Sequence, residues 1–461
     1  MGSKKTFVIS ACLLVTCLWI YLGIRAVATF SRLVPVVLYS KVSLQHLDPN
    51  GNGQPESTEI RQQQPQVTTP SAIKVSEDSI TPIMGTRFLM VSAYMDHEAN
   101  GVIRIITVMS RLDPGPFVCI IARGQQTMVT RAELDVHSDN FGFPLMTTDA
   151  MCSAGQMFNA THVTLARPSD SGRAQGHFFL QIQNTEQVKQ DFEFAFSLCI
   201  STMFGRYNNV LQFVQTIEMH RLLGVDKFVV YNTSCGPELS KVLQHYVTEG
   251  ILEVIPWPID HFLNPSSGWN YESHKGDLHY YGQQATLNDC IYRNRYRSKY
   301  VLLSDADEII MPYKHASLQA LVDSLQRRNP HVSCFIFENR VFPTTVANDS
   351  EKFDLPQWRG IPGPNILRHI YSEPRIQGAH NPTKMIVNPR MIIQSSIHSV
   401  LKYHGRTFWV PSDLALVIHT RQPLQPDLTS GQLIMDTKLW EYENQLLPNI
   451  DDILKRSGII R

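Results

Sequence analysis

The sequence lacks any charge imbalance: 41 Lys and Arg stand against 41 Asp and Glu, a formal net charge of zero. Without a basic excess it has no electrostatic footprint for nucleic acid. It also lacks a CxxC pair among its 8 cysteines, which removes the usual spacing of a structural zinc site. Residues 41–85 have few apolar side chains and are rich in Gln, Pro, Ser and Thr. Such a segment buries too little apolar area to offset its ordering entropy, so residues 31–85 are expected to form a flexible stem. Charge is missing altogether from residues 7–24, FVISACLLVTCLWIYLGI.

That uncharged run is near the lower length limit for a membrane-spanning helix. Lys4 and Lys5 precede it and Arg25 and Arg32 follow it, so flanking charge alone does not orient it. A very short tail before it and a large domain behind it favour a cytoplasmic tail at 1–6 and a transmembrane signal anchor at 7–30. The expectation is a single-pass type II protein of the Golgi membrane with its large domain in the lumen. A cleaved signal peptide, with Ala26-Val27-Ala28 as cleavage site, is the competing reading. Both place the remainder in the secretory pathway, where Cys119, Cys152, Cys199, Cys235, Cys290 and Cys334 allow up to three disulfides. Glycosylation sequons stand at Asn159, Asn232 and Asn348.

Short β-branched and aromatic runs punctuated by Gly, Pro and Asn (RFLMVSAYMD, VIRIITVMSR, PFVCIIARG) predict a small all-β accessory domain over 86–190. From residue 191 to 455 the pattern alternates. FAFSLCIST reads as a strand, NNVLQFVQTIEMHRLLG as a helix closed by Gly224, and DKFVVYN as a strand. Pro237–Glu249 reads as a helix, ILEVIPW as a strand, ATLNDCIYRNRYR as a helix and KYVLLSDADE as a strand. Alternation of this kind predicts an α/β domain on a parallel, twisted sheet, with ligands at the carboxyl ends of its strands.

One such end carries Asp305, Asp307 and Glu308. In an extended chain Asp305 and Asp307 point the same way, and two close carboxylates repel unless a cation sits between them. Hard divalent ions such as Mn²⁺ or Mg²⁺ take oxygen ligands of this kind and bridge to phosphate. A solvated acidic turn is the bland alternative. A phosphatase-type nucleophile fits the flanking Glu308-Ile309-Ile310 poorly. A sugar-nucleotide transferase, in which the metal holds the diphosphate leaving group, agrees with the anchor, the stem and the α/β domain.

Four blocks in order, CISTMFGRYNNVLQFVQTIEMHRLLGVDKFVVYN, GQQATLNDCIYRNRYRSKYVLLSDADEII, KMIVNPRMIIQSSIHSV and LALVIHTRQP, resemble glycosyltransferase family 92 over roughly residues 190–425. The resemblance implies a GT-A-type, Rossmann-like fold and divalent-metal dependence. It implies transfer of galactose from UDP-galactose, with inversion, to a glycan hydroxyl on terminal galactose or fucose of N-glycans, in β-1,4 linkage. A catalytically silent glycan-binding protein, or a transferase for another UDP-sugar such as UDP-GlcNAc, stays open, and so does a homodimer.

Within this frame Asp305 and Asp307 are the metal and diphosphate carriers. Glu308 is either an orienting carboxylate behind them or a helix N-terminal carboxylate. The third ligand is expected at His398, with His419 as the alternative. Donor contacts are expected at Ser201, Thr202, Tyr207, Tyr231, Asn288, Asp289, Arg293 and Lys384. Asn232 lies by the donor loops, where a glycan and a nucleotide exclude one another. The general base that takes the acceptor proton is expected at Glu338, with Asp354 and Glu373 as alternatives. Trp269, Trp358 and Trp409 are candidate sugar platforms. Glu218 and His220 are expected on a solvated helix face, with Arg221 pairing Glu218.

Overall fold

Why alternating apolar runs before residue 190 make one closed body is clear from how seven strands pair. The computed structural model describes residues 73–461 apart from 156–158, 172–175 and 379–380. The proposed anchor and most of the stem lie outside these residues, and no helix among the described residues is long and apolar enough to cross a membrane. Strands β1 (Leu89–Asp96), β2 (Val102–Ser110), β3 (Val118–Arg123), β4 (Gln126–Val136), β5 (Leu145–Ser153), β6 (His162–Ala166) and β7 (Phe178–Gln183) pair in the order β1-β2-β5-β4-β3-β6-β7. β7 returns to β1 through Ala93 and Tyr94 against Ile182 and Gln183. The circuit is therefore a barrel, which leaves these strands without free edges. Cys119 of β3 and Cys152 of β5 are bonded inside it.

The second half follows the alternation. β8 (Phe194–Met203), α1 (Val210–Leu222), β9 (Lys227–Asn232), α2 (Pro237–Thr248), β10 (Leu252–Pro256), α3 (Gln283–Arg293) and β11 (Ser298–Ser304) appear in sequence. Gly224 takes φ +98 just past α1, a conformation that favours glycine and ends the helix. The four strands are parallel in the order β10-β9-β8-β11. Strand order reverses between β8 and β11, the crevice where open α/β sheets bind ligands. Cys199 of β8 and Cys290 of α3 form the second disulfide; Cys235 and Cys334 are free.

Beyond β11 the sheet departs from the parallel expectation. The later elements are β12 (Glu308–Pro312), α4 (Leu318–Arg328), β13 (Val332–Pro343), β14 (Thr383–Val387), β15 (Ile392–Ser395), β16 (Val400–Tyr403), β17 (Arg406–Trp409), β18 (Ala415–Arg421) and α5 (Glu443–Arg456). β14 joins β11 antiparallel and β13 joins β14 antiparallel. β18 runs parallel to β13, and β12 antiparallel to β18. Short strands buried on both faces carry no local mark of direction. The antiparallel β12–β18 pairing sets Glu308 opposite His419 across a gap in sequence that no local pattern reports.

One hydrophobic core is shared by the barrel and the α/β half: Tyr94, Ile105 and Cys152 belong to the same cluster as Cys199, Trp257 and Cys290. α1 is buried on nearly its whole circumference, contrary to the solvated face expected for Glu218 and His220. Glu218 and one ring nitrogen of His220 are paired instead. Glu218 accepts from Arg221 at 2.9 Å and from the Tyr246 hydroxyl at 2.9 Å, and His220 Nδ1 meets the Thr216 carbonyl at 2.9 Å.

Candidate functional site

The turn from β11 into β12 carries Asp305 and Asp307, and the first residue of β12 is Glu308. Glu308 begins a strand, so the helix-terminal alternative falls. It is 1% exposed and collects five donors. The Asp305 N–H lies at 2.8 Å, Ser304 Oγ at 3.1 Å, Lys384 Nζ at 3.1 Å, Asn339 Nδ2 at 2.7 Å and His419 Nδ1 at 3.2 Å. A buried carboxylate so surrounded is stabilised in its charged form. Burial works against that charge, but Lys384 and then His419 outweigh it and lower the Glu308 pKa.

Around this hub stand the two aspartates. Asp305 accepts from Lys384 Nζ at 2.7 Å and from Gln283 Nε2 at 2.9 Å. Loss of hydration raises its pKa against the pull of Lys384, with Glu308 and Asp307 adding to the rise. Asp307 faces His419 Nε2 at 3.3 Å. Burial alone would lower the His419 pKa, but Asp307 and Glu308 together raise it. The Tyr207 hydroxyl is raised by burial first and then by Asp307. Arg421, two residues past His419 on the same face of β18, is exposed.

This donor set fits a hard divalent cation. His419 turns Nδ1 to Glu308 and Nε2 to Asp307, the carboxylate–imidazole arrangement that fixes which nitrogen is offered to a metal. An imidazole nitrogen 3.3 Å from a carboxylate oxygen needs a proton or a cation between them. Among the described residues no three His, Cys, Asp or Glu side chains form a ready-made ligand cage. Mg²⁺-like ions are held in just that way, by one or two protein groups with substrate phosphates and water completing the shell.

Of the residues expected at the site, Asp305, Asp307 and Lys384 meet at one point, with Tyr207 close by. The imidazole at Asp307 belongs to His419; His398 directs Nδ1 to the Thr383 carbonyl at 2.8 Å. Thr202 Oγ1 donates to the Tyr280 carbonyl at 3.1 Å. Ser201 is buried against α3, Oγ to Thr286 Oγ1 at 2.6 Å. Glu338 pairs with Arg340 Nε at 2.7 Å and stands on the opposite face of β13 from Asn339. Asp354 pairs with Arg359, and Glu373 accepts from the backbone of Leu424 and Gln425.

The expected donor contacts on α3 turn out to join elements. Asp289 is 1% exposed and accepts from Ser92, Tyr94, Tyr231 and Arg293. Arg293 also reaches Glu253 at 3.3 Å. Asn288 clasps the Ser395 backbone, accepting from its N–H at 2.9 Å and donating to its carbonyl at 2.8 Å. With both carboxylate oxygens of Asp289 occupied, its geometry offers a donor sugar nothing. Tyr231, bonded to Asp289, is spent the same way.

Asn339 and Gln283 were missed, and both act by holding a carboxylate. Asn339 directly follows Glu338, and a one-residue choice on a strand selects the face; only the long-range β13–β18 register reveals which. Of the sequons, Asn159 is exposed and Asn348 half-buried; Asn232, also half-buried, donates to Cys235 Sγ at 3.4 Å. A groove of about 890 Å³ on the barrel, lined by Phe117, Arg131 and Glu133 among others, contains none of these site residues.

The sequence profile of glycosyltransferase family 92 matches residues 194–452, which spans every residue of the acidic site. The chain is also similar to beta-1,4-galactosyltransferase galt-1 of Caenorhabditis elegans, 24% identical over 222 residues, covering 47% of this chain and 45% of that protein. It thus spans about half the length of the curated relative it matches.

Proposed function

The chain belongs to glycosyltransferase family 92, and from that premise we propose that it moves galactose from UDP-galactose, with inversion and in β-1,4 linkage, to a hydroxyl of a glycan. The acceptors are terminal galactose or fucose on N-glycans, and Mn²⁺ or Mg²⁺ is the cofactor. The observation that carries this is the cluster of Asp305, Asp307, Glu308, Lys384 and His419 at the strand-order reversal. The family itself establishes only a glycosyltransferase; the sugar, the linkage and the metal are our reading. The related worm protein is named a beta-1,4-galactosyltransferase, which supports the choice of donor.

Each residue has a derived task. The metal, when bound, supplies positive charge that stabilises UDP as it leaves. Asp307 and His419 Nε2 would hold it, with Glu308 keeping His419 in the required orientation. Lys384 is fixed between Asp305 and Glu308, so its ammonium is placed before substrate arrives. A preorganised charge costs no reorganisation during reaction. Arg421, exposed at the end of β18, is placed to neutralise phosphate. The uncharged run at 7–24 supports a Golgi membrane anchor with this domain in the lumen.

The test is direct. The full chain, purified in detergent from a secretory host, is incubated with Mn²⁺, a panel of UDP-sugars, and galactose- or fucose-terminated glycans. UDP release and product mass are read. A gain of one hexose from UDP-galactose, stopped by EDTA and restored by Mn²⁺, is expected. UDP-sugar binding without product on any glycan points to the silent binder, and indifference to chelation removes the metal.

A further inference from the structure

Between β10 and α3 the chain makes a long excursion, residues 257–282, that the transfer chemistry just described does not use. It ends in three consecutive left-handed residues: Tyr280 at φ +37, Tyr281 at φ +50 and Gly282 at φ +81. A left-handed conformation is unfavourable for a non-glycine residue, so two adjacent tyrosines there must be held by their surroundings. They are. Trp257 Nε1 donates to the Tyr281 carbonyl at 2.7 Å, the Tyr281 N–H donates to the Ser266 carbonyl at 3.1 Å, and the Tyr280 N–H donates to the Gly268 carbonyl at 3.3 Å. A Cβ on Gly268 would lie 2.4 Å from the His274 ring, so the turn closes only around glycine. The barrel braces the outer side: Tyr271 packs edge-on against Phe143 at 5.3 Å, and the Leu145 N–H donates to the Asp277 carbonyl at 3.0 Å.

This rigid loop displays Trp269, which is 56% exposed. An indole held in water by a fixed backbone offers a broad apolar face with one polar edge, the combination that favours contact with a ring. Its place relative to the acidic site follows from bonded steps. Trp269 adjoins Gly268, Gly268 accepts from Tyr280, and Thr202 at the end of β8 donates to the Tyr280 carbonyl. Three residues on, Gln283 donates to Asp305 at 2.9 Å. The Tyr280 phenol is within electrostatic reach of Arg421, Asp305 and Lys384. The other candidate platforms differ: Trp358 is buried and donates to Asp451, and Trp409, though exposed, ends a strand with no such tie to Asp305.

We propose that residues 264–282 form the acceptor subsite, with Trp269 stacking on the apolar C–H face of a hexopyranose ring next to the acidic cleft. This rests on the transferase reading above. A stacked ring needs no charged partner; the loop's exposed charges, Glu272 and Lys275, pair with each other at 2.8 Å, and Ser266 and Asp277 are spent on holding the loop's own shape.

The experiment compares Trp269→Ala and Trp269→Phe with the unaltered full chain, on the glycan that the unaltered chain elongates. KM for acceptor, KM for donor, kcat and the affinity for UDP with Mn²⁺ are measured. Trp269→Ala should raise the acceptor KM about tenfold, the scale of one aromatic contact and its buried area, while donor KM and UDP affinity stay within twofold. Trp269→Phe should recover most of the loss. Because Trp269 is exposed, both variants should keep the unaltered melting temperature. An acceptor KM unchanged in Trp269→Ala overturns the subsite while leaving the transferase intact, and so does an equal rise in donor KM. If the unaltered chain neither binds UDP nor elongates any glycan, the transferase reading falls, and the subsite with it.

Discussion

Two clusters of carboxylates and cations in this molecule look alike on paper and differ in exposure and in charge balance. At the joint between barrel and α/β half, Arg104 meets Asp149 at 2.6 Å and Asp96 at 3.0 Å, while Arg295 meets Asp96 at 3.0 Å. Gln394 donates to Asp149 at 3.1 Å and His137 stands 3.3 Å from it. Both arginines and both aspartates are at most 4% exposed, and two guanidiniums and the His137 ring face two carboxylates. At the acidic cleft, by contrast, Asp305 and Asp307 keep 34% and 28% of their side chains accessible. Three carboxylates there share one lysine and one histidine. A sealed network with no surplus carboxylate is an architectural device, whereas an open one with more carboxylates than cations keeps negative charge within reach of a ligand.

The largest expected effect tests that contrast. Asp307→Ala should lower transfer by at least about 10²–10³-fold, the scale of losing one preorganised electrostatic partner, with secretion and melting temperature retained. Full turnover in that variant sinks the metal assignment. Arg104→Ala should do the reverse. It leaves Asp149 with His137 alone and Asp96 with Arg295 alone as ion-pair partners, at a cost of about 3–5 kcal/mol, read as a fall in melting temperature and secreted yield. A variant of unchanged stability would show that the joint is not held by its charges.

Next in size is pH. Burial raises the Asp149 carboxyl, but His137 and Arg104 outweigh it and hold it at about 2, against an ordinary 3.8. A depressed carboxylate contributes stability above its unfolded pKa and loses it as pH falls through the folded one. The contribution, roughly 2 kcal/mol, should be intact at pH 5 and vanish between about pH 4 and 2. Denaturant titrations of the unaltered chain and Asp149→Asn should differ above pH 4 and converge below. The smallest effect is expected at the rim of the same joint, where Lys402 pairs with Asp135 and both are well exposed. Lys402→Ala should change stability by no more than about 1 kcal/mol; a loss as large as that of Arg104→Ala would erase the distinction between sealed and open pairs.

The parts legible in the sequence were those with local causes. The β8 to β11 alternation and the Gly224 stop rest on periodicity and on one glycine's freedom, and each emerged within a few residues of expectation. The barrel strands were readable as strands, but closure depends on β7 meeting β1, a pairing of residues 93 and 182 with no local signature. The acidic turn was visible because three carboxylates interrupt an apolar run. Its imidazole was left between two, His398 first and His419 as the alternative, because both follow apolar runs, and only the β12–β18 register sets His419 beside Asp307. Asp289 and Arg293 misled for a physical reason: a helix facing a second domain needs polar residues to join it as much as a helix facing a ligand does.

The clasp at Asp289 has a practical meaning for how this protein is divided. The stretch that matches the family begins at residue 194, yet Ser92 and Tyr94, which hold Asp289 in place, belong to the barrel before it. Inheritance and folding thus draw their borders at different residues. A chain cut at 194 would carry every residue of the acidic cleft and still expose a bare helix flank, a buried carboxylate stripped of two of its four partners and half of a shared core. The barrel and the α/β half share one core and one clasp, and the two are best moved, expressed and varied together.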